Sequence, residues 1–129
     1  MPSAARGHLV TTVHSAQTVT VEIDGQVVAK SSRPVVLYET GLPIRYYLPP
    51  DDVDLARFTP TDTHTTCPFK GVASYWTYLG DGTTAAHPDV VWAYSNPIES
   101  VPDIKGYLSF YDNIAHVTVE GEPPAPPTT

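Results

Sequence analysis

The spacing of apolar residues along the chain predicts short β-strands rather than helices. Over residues 18–23, apolar and polar side chains alternate, which places the apolar ones on one face of a strand. Asp24 and Gly25 follow, and this residue pair is preferred in a tight type I′ turn. A second strand is predicted at residues 26–29, so this segment is predicted to be a β-hairpin.

Further strands follow along the chain, cut into short pieces by 14 prolines and 8 glycines. They are predicted at residues 35–40, 44–48, 72–79, 90–94, 107–111 and 116–120. Asp51 and Asp52 are predicted to cap a short helix that runs to residue 58. The threonine-rich residues 59–66 are predicted to form a polar loop, and residues 97–106 a turn with at most one helical turn. This pattern predicts a mainly β fold of antiparallel or mixed strands with one or two short helices.

The domain boundaries follow from the same pattern. Residues 1–15 have little periodicity and are expected to be weakly ordered. Residues 16–120 form the predicted β domain, and 129 residues are enough for one such domain. Residues 121–129 are rich in proline and are expected to be a disordered tail.

The net charge of the chain limits the classes of partner that it is expected to bind. The chain carries 7 Lys and Arg against 14 Asp and Glu, a formal net charge of -7. An acidic surface repels phosphate backbones and anionic lipid, so neither nucleic acid nor a membrane surface is an expected partner. No apolar run reaches the roughly 20 residues of a membrane span, and no signal peptide is recognised. A single cysteine permits no internal disulfide and favours a reducing compartment, so a cytoplasmic location is expected.

Six ordered blocks of sequence carry a family resemblance. They are VAKS at 28–31, LYE at 37–39, YYLPPDDV at 46–53, CPFKGVASYW at 67–76, WAYSNP at 92–97 and IKGYLSFY at 104–111. In this order the blocks resemble the domain-of-unknown-function family numbered 427, which is sometimes given a nucleotidyltransferase-like label. The resemblance implies a β-tent domain, in which antiparallel sheets lean together over a cleft, and it implies no common reaction.

The resemblance also bears on metals. Relatives with a β-tent fold often hold zinc with paired Cys-x-x-Cys motifs, and a chain with one cysteine cannot build that site. Nucleotidyl transfer needs clustered carboxylates that hold two metal ions. Asp52 and Asp54 have a suitable spacing, but no Gly-Ser motif precedes them, and they are interpreted as the start of a helix. No metal and no cofactor are therefore expected.

Three residues are candidates for catalysis: Glu39, Lys70 and, as the weaker candidate, Cys67. Cys67 becomes a nucleophile if Lys70 lowers its pKa, although a lone cysteine is commonly a buried apolar residue. Glu39 is a candidate acid or base. Glu39 or Asp52 is expected to form an ion pair with Lys70 or Arg45. Such a pair either stabilises the fold or binds a ligand.

Aromatic residues on the strands are the other candidates. Alternation sends neighbours such as Tyr75 and Trp76 to opposite faces, so one set fills the core and the other could line a cleft. The ligand-binding candidates are Arg45, Tyr47, Asp52, Tyr75, Trp76, Trp92, Tyr94, Tyr107 and Tyr111. Two interpretations stay open: a small-molecule site, in an enzyme or a plain binder, and a non-catalytic scaffold or interaction domain. Strand edges also leave a homodimer open.

Overall fold

Ten β-strands form three antiparallel sheets in the part of the chain that the computed structural model describes, residues 9–80, 87–98, 101–122 and 124. The strands are β1 (Val10–His14), β2 (Thr18–Ile23), β3 (Gln26–Ser31), β4 (Val35–Glu39), β5 (Arg45–Tyr47), β6 (Phe58–Cys67), β7 (Gly71–Tyr78), β8 (His87–Tyr94), β9 (Leu108–Phe110) and β10 (His116–Glu120). The sheet orders are β1-β4-β5, β10-β2-β3 and β6-β7-β8-β9. The prediction of a mainly β, antiparallel domain is confirmed.

The predicted hairpin is present as β2 and β3. Asp24 and Gly25 both have positive φ, 52° and 80°, as a type I′ turn requires. The apolar face of β2 is fully buried, and its polar residues face the other way. The turn therefore fixes which residues of β2 and β3 pair. This pairing buries the face of β2 that alternation predicted to be apolar.

Two hydrophobic clusters lie on opposite faces of the four-stranded sheet. Alternation on β8 separates them: Val91 and Ala93 belong to one cluster, Trp92 and Tyr94 to the other. The first cluster is completed by β2 and β3, and the second by β4 and β5. The four-stranded sheet is thus covered on both sides, which explains why β8 has an almost continuous buried run.

The threonine-rich segment is a strand, so the prediction of a loop there is wrong. Residues 58–67 form β6, which pairs with β7 and lies at an edge of its sheet. Most side chains of β6 are exposed, so no apolar alternation marks it. Threonine is β-branched and fits an extended, half-exposed strand, and this preference outweighs the polar composition.

The predicted helix start is also wrong. Asp51 and Asp52 lie inside a 3₁₀ turn, Pro50–Asp52, whose N-cap is Pro49 and which has no side-chain cap. The Asp52 carboxylate instead accepts bonds from Ser31 Oγ at 2.7 Å and Arg33 Nε at 3.3 Å, because β3 passes beside it. Two more 3₁₀ turns, Leu55–Arg57 and Pro102–Ile104, bring the number in the described residues to three. One or two short helices were expected.

The ends of the domain depart from expectation as well. Weak order was predicted for residues 1–15, but Val10–His14 forms β1 and pairs with β4, so the prediction is wrong for this segment. Residues 1–8 lie outside the described residues, as does most of the predicted tail. Within the tail, the Pro124 carbonyl oxygen accepts a hydrogen bond of 2.6 Å from the Tyr38 hydroxyl. No helix in the described residues is long and apolar enough to cross a membrane.

Candidate functional site

A cavity of about 180 Å³ lies between β4, β5 and the four-stranded sheet. Its walls hold most of the residues that the sequence suggested for a site: Glu39, Arg45, Tyr47, Lys70, Tyr75, Trp92, Tyr94 and Tyr111, together with Leu42 and Pro43. These residues come from four separate regions of the chain. Neighbouring strands place them together, with Tyr75 of β7 directly opposite Trp92 of β8.

The turn after β6 positions Lys70. The Lys70 amide donates to the Cys67 carbonyl oxygen at 3.2 Å, which closes the turn, and the Lys70 carbonyl oxygen accepts from the Ile98 amide at 3.0 Å. Gly71 follows with φ of 121°, in a region that side chains disfavour. A Cβ at Gly71 would lie 3.1 Å from the Asn96 carbonyl oxygen, so glycine is required for this close approach.

An ion pair forms the polar wall of the cavity. Lys70 Nζ lies 2.7 Å from Glu39 Oε1, and the two side chains are 12% and 6% exposed. Glu39 ends β4, on the same face as the buried Leu37. The sequence left open which acid pairs with which base, and the structure joins Glu39 to Lys70. A carboxylate and an ammonium group thereby border the same small space.

Arg45 supplies a second positive charge at the cavity. Its guanidinium carbon lies 5.5 Å from the centre of the Trp92 ring, a cation–π distance. Arg45 Nη1 is 3.8 Å from Asp112 Oδ2, but Asp112 is 71% exposed, so water screens this pair. The guanidinium is therefore held beside the aromatic wall without being strongly neutralised.

Hydroxyl groups complete the lining. Trp92 Nε1 donates to the Tyr47 hydroxyl at 3.1 Å, and the Tyr75 hydroxyl lies 2.7 Å from Thr65 Oγ1 and 3.5 Å from the Tyr111 hydroxyl. These bonds fix the rings, and the Trp92 and Tyr111 rings lie 4.4 Å apart between centres. The cavity wall consequently mixes aromatic rings with hydroxyl groups.

Burial raises the pKa of several of these tyrosines above its ordinary value. It raises the pKa of Tyr47 to about 12, although the bond from Trp92 acts in the opposite direction. Burial, with a contribution from the Tyr75 hydroxyl, raises the pKa of Tyr111 to about 12, and burial also raises the pKa of Tyr94. Near neutral pH these hydroxyls therefore keep their protons and do not act as bases, although they can still accept hydrogen bonds.

The other predicted site residues lie outside the cavity. Trp76 points to the opposite face of β7 and packs on the first cluster. Cys67 and Tyr107 are partly buried beside the second cluster without lining the cavity. Asp52 is engaged by Ser31 and Arg33, as described above. Among the described residues, no three His, Cys, Asp or Glu side chains come together as metal ligands.

Leu42 and Pro43 are cavity residues that the sequence reasoning missed. Residues 41–43 lie between the predicted strands 35–40 and 44–48, and they join the strands that carry Glu39 and Arg45. A turn between two strands that both contribute to a site has to lie at the edge of that site. This connection was the signal that could have identified them.

A second cavity of about 190 Å³ lies on the other side of β5. Its walls are largely apolar and include Val19, Tyr46, Phe110 and Val117, with Arg45 reaching both cavities. Arg45 and Asp112 also line it, but their ion pair is longer, at 3.8 Å, and Asp112 is largely exposed, unlike the buried Glu39–Lys70 pair. The first cavity differs in that its ion pair is shielded from water and more aromatic residues line it.

These features define a class: a mainly β domain with a small cavity that is both charged and aromatic. Sequence comparison identifies the family, because residues 11–121 match the one described as "Domain of unknown function (DUF427)", and the chain belongs to it. No curated protein matches the sequence at a significant level.

Proposed function

We propose that this chain binds a small molecule in the cavity beside Glu39 and Lys70. The observation that carries the proposal is an ion pair, 12% and 6% exposed, that borders an open space within an aromatic wall. Removing two charges from water is costly, and a buried pair is weak evidence for stability. Charged groups beside a cavity are, in contrast, typical of sites that fix the orientation of a ligand.

The cavity limits the size of the ligand. Its volume of about 180 Å³ is close to the ~150 Å³ that accommodates a benzene molecule in an engineered cavity. One ring with a small polar group fits this space. Tyr75, Trp92 and Tyr111 line this space and offer aromatic contacts for such a ring.

Acid–base chemistry in the cavity would fall to Glu39 and Lys70. Proton transfer needs a group that changes its charge under working conditions. The raised pKa values of Tyr47, Tyr94 and Tyr111 keep these hydroxyls protonated. An enzymatic role thus requires both members of the ion pair, whereas a binding role requires that they orient the ligand.

Nuclear magnetic resonance provides a direct test. The chain has 2 tryptophans, so a ¹⁵N-labelled sample gives two indole N–H signals. Trp92 lines the cavity, and Trp76 packs on the opposite face of the same sheet. A library of one-ring fragments that includes benzamide is titrated at millimolar concentration. We expect saturable shifts of the Trp92 indole signal while the Trp76 signal stays in place.

The scaffold alternative predicts a different result. If no fragment moves the Trp92 signal, or if both indole signals move together, the cavity is not a specific binding site. Val117→Thr serves as the control, since Val117 lines the second cavity and this substitution nearly preserves its shape. If the fragments bind in the first cavity, Val117→Thr should leave their affinity unchanged.

A further inference from the structure

We infer that the ligand of the cavity is a small monoanion, a planar carboxylate attached to one ring. This inference rests on the proposed function and specifies the class of ligand. It is carried by the balance of charge in the cavity wall, by the geometry of the donors and by the shape of the space.

The cavity wall is positive although the protein is acidic. Two cations, Arg45 and Lys70, line it against one anion, Glu39. The chain as a whole has a formal net charge of -7, so the cavity has the opposite sign to its surroundings. Asp112 approaches Arg45, but it is largely exposed and does not line this cavity. An anion that enters can therefore offset the excess positive charge.

The donors in the wall suit a carboxylate. The Arg45 guanidinium is planar and offers a fork of N–H groups that matches two carboxylate oxygens. The Tyr47 hydroxyl accepts the bond from Trp92 and is fully buried, so Arg45 and Lys70 are the donors that a ligand can reach. Glu39 is fixed in the same wall and repels added negative charge, so a monoanion is favoured over a phosphate dianion.

The shape of the space fits an aromatic body. Tyr75 and Trp92 lie side by side on neighbouring strands, and the Tyr111 ring packs 4.4 Å from the Trp92 ring. Aromatic rings also make edge-to-face contacts, so a flat ring can pack against this wall although Arg45 covers Trp92. Since Arg45 lies over Trp92, a ring on this wall brings its carboxylate within reach of the guanidinium.

Three probes of nearly the same shape separate charge from fit. Benzoate, benzamide and benzamidine are planar one-ring molecules with charges of about -1, 0 and +1 at neutral pH. Their dissociation constants are measured from the Trp92 indole signal. We expect benzoate to bind about tenfold more tightly than benzamide, the factor given by one charge-assisted hydrogen bond, and benzamidine to bind most weakly.

Each other outcome has a definite meaning. Equal binding of all three probes, or tighter binding of benzamidine, overturns the anion inference and leaves the proposed binding function in place. If none of the three moves the Trp92 signal, the anion inference is overturned and a one-ring ligand for the cavity is rejected with it. Competition by inorganic phosphate at equal concentration would show that the site selects charge without an aromatic body, which also overturns the inference.

A matched pair of variants tests the role of Arg45. Arg45→Gln should weaken benzoate binding about tenfold and change benzamide binding less than twofold. Arg57→Gln makes the same change in net charge, but Arg57 pairs with Asp54 away from the cavity. It should leave benzoate binding unchanged. Equal losses in the two variants would mean that overall charge governs binding, and the inference would then be wrong.

A conservative variant guards against a folding defect. Arg45→Lys keeps the charge but loses the planar fork, so we expect an intermediate loss of benzoate affinity. Full affinity in Arg45→Lys contradicts the bidentate geometry. The Trp76 indole signal, whose ring lies on the other face of the sheet, reports whether each variant keeps the native fold.

Discussion

Lys70 Nζ lies 2.7 Å from Glu39 Oε1, although 31 residues separate them in sequence. The end of β4 and the turn between β6 and β7 are brought together by the second hydrophobic cluster, which β4, β5, β7 and β8 share. Both side chains are largely shielded from water. The pair therefore connects two distant parts of the chain and also forms part of the cavity wall. Its removal should affect both the stability of the fold and the cavity.

The first prediction concerns this pair. Lys70→Met should lower the free energy of unfolding by about 3–5 kcal/mol, because it removes the ammonium group that offsets the charge of the buried Glu39 carboxylate. The double variant Glu39→Gln with Lys70→Met should regain most of the loss, since both charges of the buried pair are then removed. Urea denaturation measures both values. Equal losses in the single and double variants would contradict this account.

The exposed pair between Arg33 and Asp51 is the control for the first prediction. Its side chains are 61% and 91% exposed, so water already screens the two charges. Asp51→Asn should therefore leave the free energy of unfolding nearly unchanged. A large loss in Asp51→Asn would indicate that charge changes in general destabilise this acidic chain.

The second prediction concerns the bond from Trp92 to Tyr47. Tyr47→Phe removes the acceptor of a buried indole N–H, which should cost about 1–3 kcal/mol in unfolding free energy. Tyr111→Phe removes a hydroxyl whose contact with Tyr75 is long, at 3.5 Å, and should cost clearly less. Thermal and urea unfolding of the two variants give the comparison. A larger cost for Tyr111→Phe would mean that the Trp92–Tyr47 bond is not a main support of the wall.

The third prediction concerns Gly71. Gly71→Ala places a side chain at φ of 121° and within 3.1 Å of the Asn96 carbonyl oxygen. Strain of this kind costs about 1–3 kcal/mol, and the close contact adds to it. Gly25→Ala is the control, because Gly25 also has positive φ but open space around it. Urea denaturation should show a greater loss of stability for Gly71→Ala, and equal losses would rule out the steric part.

The fourth prediction is a loss of stability at alkaline pH. Tyrosine in the unfolded chain has a pKa near 10, whereas burial raises that of Tyr47 to about 12. Below pH ~10 both states keep the proton, and the contribution to stability is complete. Between these values the unfolded chain releases a proton that the folded protein retains. The free energy of unfolding should therefore fall by about 1.4 kcal/mol per pH unit for each such tyrosine.

Urea denaturation at several pH values from about 9 to 11.5 measures this slope. Tyr47→Phe should make the slope shallower, because it removes one of the retained protons. An identical slope in the variant would show that Tyr47 ionises in the folded protein as it does in the unfolded chain.

Most of the strands could be predicted because their residues alternate. β2 has one buried and one polar face, and alternation together with the Asp24-Gly25 turn identified the hairpin. β6 was missed because both of its faces are largely exposed at a sheet edge. β1 was missed because its residues are only partly buried and its partner, β4, lies far along the chain. Alternation predicts a strand only where one face is buried.

The sequence by itself determined the fold class, the family and the set of residues from which a site could be built. It placed Tyr75 and Trp76 on opposite faces of β7 without deciding which face borders the cavity. Both faces of the four-stranded sheet are covered by other sheets, so both carry apolar residues, and only packing decides between them. The tertiary structure also determines which charged residues form ion pairs: Glu39 with Lys70, Asp112 with Arg45 and Arg33 with Asp52. Ion pairs depend on distances across strands, and no local pattern in the sequence encodes those distances.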